Sequence, residues 1–108
     1  MSTFDEFIKE VIAGAKDIAT KEVKGFVSQV QLDAQEFLKK TENDLKDWTQ
    51  KLAKGQLSED EFEDLVKGRK DLATFAALTA AGISLATIQR VRDKLINLVI
   101  DSAVKTFL

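Results

Sequence analysis

Apolar residues recur along the first half of the chain at the three- and four-residue steps of a helix: Phe4, Phe7, Ile8, Val11, Ile12, Ala15, Ile18, Ala19, Val23, Phe26, Val27, Val30, Ala34, Phe37, Leu38, Leu45, Trp48 and Leu52. Every eleventh position repeats the pattern through Phe4, Ala15, Phe26, Phe37 and Trp48, with Ile8, Ala19, Val30, Thr41 and Leu52 alongside. Eleven residues in three turns lies slightly above the natural helical period, so such a stripe stays on one side of a nearly straight helix. Thr3 or Ser2 can cap the start with Glu6 as partner, and Gly55 after Lys54 supplies a left-handed stop. The spacing therefore predicts one helix over residues 3–53, about 75 Å long at about 1.5 Å per residue.

Gly25 is the one weak point in that segment. An interior glycine costs only about 1 kcal/mol relative to alanine. Its neighbours Val23, Lys24, Phe26 and Val27 offer no polar cap, and the eleven-residue register passes through it unchanged. An unbroken helix is the expectation; the alternative is a compact four-helix bundle with a break near Gly25.

The second half carries two start signals. In Leu57-Ser58-Glu59-Asp60-Glu61-Phe62, Ser58 can cap the free amides, Glu61 can reach back, and Leu57 can staple onto Phe62. The device recurs where Gly82 ends one helix, Ser84 caps the next, and Ile83 faces Ile88. Helices over 59–81 and 85–107 are expected to form an antiparallel hairpin, with Ala73, Ala77 and Ala81 allowing close approach. The broad apolar arc of the last helix implies more than one neighbour. The fold class is all-α in a single domain, 1–108.

Each hairpin helix matches about half of a rod spanning residues 3–53, at about 1.5 Å per residue. The surface from Phe4 to Val27 would then lie bare, beyond the few hundred Å² that soluble monomers tolerate. Phe4, Phe7, Ile8, Val11, Ile12, Ile18, Val23, Phe26 and Val27 are the predicted self-association surface, and an antiparallel homodimer is the expected assembly.

Composition narrows the chemistry. The apolar fraction of 44% and charged fraction of 31% suit a folded helical protein. With no Cys and no His, thiolate metal sites, disulfides and the usual general base are absent. Ser28, Ser58, Ser84 and Ser102 have no histidine partner, and the five glycines show no phosphate-loop spacing. Asp33 with Glu36 and Asp44 with Asp47 read as a solvated face, and the acids from Glu59 to Asp64 as a helix start rather than a calcium loop. No catalysis, cofactor or metal is expected.

A net charge of −2 gives no overall field toward nucleic acid. Lys67, Arg69, Lys70, Arg90, Arg92 and Lys94 form at most a local basic patch that nearby acids can pair, so nucleic acid is not an expected partner. The uncharged run from Leu72 to Gln89 has spanning length, but the stop and cap at Gly82 and Ser84 argue for a buried hairpin tip over an integral membrane segment. The acidic start Asp5-Glu6 is unlike a secretion signal, and cytoplasmic residence is expected. The functional expectation is a non-catalytic, self-associating helical interaction or scaffold module with a protein partner, Trp48 and Phe37 serving the core. The alternative is a peripheral protein whose segment from Phe4 to Val30 lies on a lipid surface.

Overall fold

In the computed structural model, which describes residues 3–108, the chain reverses direction at residues 23–26. Helix α1 (Thr3–Glu22) ends there and α2 (Val27–Lys40) packs back along it. The Phe26 N–H donates to the Val23 carbonyl at 2.9 Å. Gly25 takes φ +84°, the positive value that the third residue of such a turn requires. The expected unbroken helix over 3–53 is thus corrected to the alternative, a bundle broken at Gly25. A glycine's modest cost inside a helix had favoured continuity. What outweighs it is burial, since folding α1 back encloses Phe7, Val11, Ala15 and Ala19 completely. A single fully buried Phe or Val contributes about 1.5–3 kcal/mol. The folded chain measures 42 × 27 × 20 Å, too short to contain a straight rod of residues 3–53.

The remainder of that segment divides once more, at Thr41, so the expected single helix becomes three. From α2 the chain passes through Thr41 into α3 (Glu42–Ala53), a junction at which the Thr41 N–H donates to the Phe37 carbonyl and the Leu45 N–H to the Thr41 carbonyl. Thr41 departs from helical geometry, with φ −105° and ψ 7°. Its buried hydroxyl also donates to the Phe37 carbonyl, at 2.9 Å, a back-bond that commonly bends helices. Gly55 ends α3 at φ +72°. The Gln56 N–H reaches the Lys51 carbonyl and the Gly55 N–H the Leu52 carbonyl, the two bonds of a glycine-closed helix end. Of the start signal, Thr3 is already helical and Ser2 lies outside the described residues.

The expected helix over 59–81 divides. Helix α4 (Glu59–Lys67) stops at Gly68, a 3₁₀ turn follows at Lys70–Leu72, and a short α5 (Ala76–Ala80) begins after an extended link. Phe75, at the entry of α5, is held left-handed at φ 51° and buried to 2% exposure, with Ala73 and Leu78 buried beside it. The chain leaves the helical path here to plug the core with Phe75 and Leu78. The alanine row consequently does not line a helical hairpin: Ala76 and Ala80 are exposed, and α5 packs mainly on α2.

Helix α6 (Leu85–Phe107) matches its expected span 85–107 and is the central element, contacting α1, α3, α4 and α5. It packs most extensively on α1, closely enough that a Cβ on Gly14 would lie 2.7 Å from the Leu98 methyls. Every helix contributes to one core, and no strand occurs among the described residues.

Candidate interaction surface

The reversal at Gly25 redistributes the predicted self-association surface. Phe7, Val11 and Val23 are buried within the same chain. Phe4, Ile8, Ile12, Ile18, Phe26 and Val27 are partly covered and pack against the core from its edge. The bare half-rod that motivated a homodimer is therefore not present; α2 and α6 cover it. The same enclosure withdraws most of the apolar face that a lipid surface would need.

One opening that remains along this surface is a groove of about 340 Å³ between α1 and α2 with the start of α3. Phe4, Ile8 and Ile12 form one wall, at the four-residue steps that stack side chains along one helix face. Leu38 lies opposite, and Asp5, Gln35, Lys39 and Glu42 supply the polar lining. Phe4 is itself positioned by its surroundings, 5.7 Å from the Phe7 ring and beneath the Lys46 ammonium at 5.6 Å. Phe7 in turn meets Phe107 edge-on at 5.9 Å, tying this end of α1 to the end of α6. The arrangement is a shallow apolar strip with polar edges, suited to contact rather than to enclosing a reactant.

The capping residues hold the scaffold as expected. The Ser58 hydroxyl accepts the Glu61 N–H at 3.1 Å, while the Glu61 carboxylate accepts the Ser58 N–H at 2.9 Å. These bonds to Ser58, the backbone one foremost, hold the Glu61 carboxyl below its ordinary value. At the other end of α4, the hydrogen bond and charge of Glu63, with Asp64 adding a smaller attraction, hold the Lys67 ammonium above its ordinary value. Gly82 closes α5 at φ +81°, and the Ser84 hydroxyl accepts the Thr87 N–H at 3.3 Å to open α6.

Five of the six residues of the candidate basic patch are paired with acids. Lys67 meets Glu63, Arg69 meets Asp44, and Lys70 meets Asp93. Arg90 and Lys94 converge on the half-buried Glu22 at 3.6 and 3.2 Å, joining α6 to the end of α1. Arg92 differs in that its Nε is enclosed without a hydrogen-bond partner. The five paired cations leave little of a patch to attract phosphate.

One polar group escaped the sequence reading. Asp33 is buried at 4% exposure rather than solvated. Its Oδ1 accepts the Ala77 N–H at 2.9 Å and its Oδ2 the Leu78 N–H at 3.0 Å. Phe75, at the cap position of α5, offers no side-chain acceptor, so Asp33 caps that helix from across the fold. A signal was available: Asp33 stands three residues after Val30 and four before Phe37, on the apolar stripe itself.

Among the described residues no group of three or more acidic, His or Cys side chains is placed to hold a metal ion, and no helix is long and apolar enough to cross a membrane. The uncharged run from Leu72 to Gln89 is divided among the end of the 3₁₀ turn, α5, two connections and the start of α6. No protein-family model, curated protein sequence or solved structure matches this chain.

Proposed function

We propose that this chain is a non-catalytic helical interaction module that works in the cytoplasm and receives an amphipathic helix of a partner protein in the groove between α1 and α2. The observation that carries this reading is the half-exposed ladder of Phe4, Ile8 and Ile12 facing Leu38. A partner helix with apolar residues at three- and four-residue steps would lay its face on that strip, with Gln35 and Lys39 against its polar flank. Self-association through an uncovered stripe has no support in a closed fold, so the partner in this reading is a different protein.

The test compares the native chain with Ile8→Lys and Ile12→Lys as baits in extract from the native host, each first checked for unchanged helical circular dichroism. The reading expects a protein retained by the native chain and lost with both variants. Equal retention on all three baits, or no retained protein, would count against it. Retention that is lost instead when vesicles compete, with direct binding of the chain to those vesicles, would favour a lipid surface.

A further inference from the structure

The core-facing positions of α1 and of α2 belong to one helical pattern interrupted by one turn. Ala15, Ala19 and Val23 are buried at steps of four, and Val30, Ala34 and Phe37 resume at steps of four and three. The seven residues from Val23 to Val30 make two helical turns, so straightening residues 23–26 into helix would leave both sets on one stripe.

Little hydrogen bonding within the turn opposes straightening, although Val23 is buried and Phe26 packs against the core. It contains one backbone hydrogen bond, from the Phe26 N–H to the Val23 carbonyl. Phe26, at the cap position of α2, makes no side-chain capping bond. Gly25 is exposed, with no atom within 4 Å of where a Cβ would stand. The reversal is held instead by what α1 touches, namely α2 and α6. Those contacts include Glu10 with Lys105, Glu22 with Lys94, and Gly14 against Leu98. A second copy of the chain presents the same partners in the same geometry.

We propose that residues 23–26 are an exchange hinge through which two copies swap α1. Each copy lays its Thr3–Glu22 helix in the cleft between α2 and α6 of the other, and the hinge becomes part of a near-continuous helix crossing the dimer axis. Every interface of the monomer is rebuilt between chains, and only the turn changes. The closed form benefits from the effective concentration of a short connection, on the order of millimolar. The native chain is therefore monomeric at micromolar concentration, and the exchanged dimer accumulates as concentration approaches that value.

Gly25→Ala tilts this balance in one direction. A positive φ disfavours alanine in the closed turn, and alanine is the better helix former in the open one. Together these lower the dimer dissociation constant by on the order of a thousandfold, about thirtyfold from each chain. Since the chain has no cysteine, Glu10→Cys and Lys105→Cys can be introduced singly in the Gly25→Ala background, and the two variants mixed by unfolding and refolding together. The expected result is a dimer by light scattering in which a short bis-maleimide joins one chain of each kind. The proposal is overturned if Gly25→Ala stays monomeric up to millimolar concentration. It is equally overturned if a dimer forms whose position 10 links only to position 105 of its own chain, tested with both cysteines in one chain. Should Gly25→Ala fail to fold, the same mixed cross-link on the otherwise native chain, refolded at about millimolar concentration, decides in the same terms.

Discussion

Asp33 and Leu78, 45 residues apart in sequence, are joined by a hydrogen bond in which the carboxylate Oδ2 accepts the Leu78 N–H at 3.0 Å inside the core. With the companion bond to Ala77, one buried side chain anchors α5 onto α2. Bonds to a charged acceptor contribute about 1.5–3 kcal/mol, and removing the acceptor strands two amides. Asp33→Ala should therefore lower stability to urea by about 2–4 kcal/mol, and amide exchange at residues 76–80 should accelerate before that of α6. Asp33→Asn keeps one acceptor and should lose less. An unchanged urea midpoint for Asp33→Ala would remove Asp33 from its role as a cap.

Phe75 offers a comparison that reverses an ordinary ranking. Phe75→Ala opens a cavity in the core and should cost about 3–5 kcal/mol. Glycine is normally worse than alanine by about 1 kcal/mol in ordered backbone. At φ 51° the order inverts, because only glycine is free of the left-handed penalty of about 1–2 kcal/mol. Thermal unfolding should thus find Phe75→Gly at least as stable as Phe75→Ala, and a clearly lower melting temperature for glycine would mean the backbone there is unstrained.

Gly14 and Leu98 should behave as a coupled pair. A methyl on Gly14 improves helix propensity by about 1 kcal/mol but enters the space of the Leu98 methyls at 2.7 Å. Gly14→Ala alone should gain little or lose stability. In a Leu98→Ala background the same change should stabilise by about 1 kcal/mol. Denaturant titrations of the four proteins close the cycle, and additivity within about 0.3–0.5 kcal/mol would show that the helices adjust without contact.

The start of α4 sets a small pH dependence. Because the Glu61 carboxyl is held below its ordinary value by Ser58, its contribution is present above the unfolded-state pKa and is lost as pH falls through the lower folded value. Lys67 works in the opposite sense: its contribution is present below the unfolded-state pKa and is lost as pH rises through the raised folded value. Glu61→Gln should flatten only the acidic limb of the stability profile. Ser58→Ala, which removes the cap itself, should cost about 1 kcal/mol even at neutral pH. A Glu61→Gln profile parallel to the native one on the acidic side would refute the assignment.

Features encoded within a few residues were legible in the sequence. Ser58 with Glu61, the stops at Gly55 and Gly82, and the Ser84 cap all act over four or five positions, and each forms as read. The reversal at Gly25 was not legible because its local cue is slight and its cause is distant: α1 gains cover from α2 and from an α6 that begins 60 residues later. The periodic stripe persisted through the turn because both flanking helices face one core. Phe75 and Asp33 were missed for a related reason: Phe75 is buried in a left-handed conformation and Asp33 is buried to bond amides more than 40 residues away. Of the groove, Phe4, Ile8 and Ile12 were identified, but their opposing wall at Leu38 exists only once the chain has folded back.

Trp48 is the sole indole in a chain without tyrosine. It lies nearly buried on α3, with the Arg69 guanidinium 5.6 Å from its ring centre and that same arginine bound to Asp44. The molecule consequently carries its own optical gauge at the seam between α3 and the end of α4. Emission will shift to longer wavelength when that seam parts, with no added dye and no second fluorophore to disentangle.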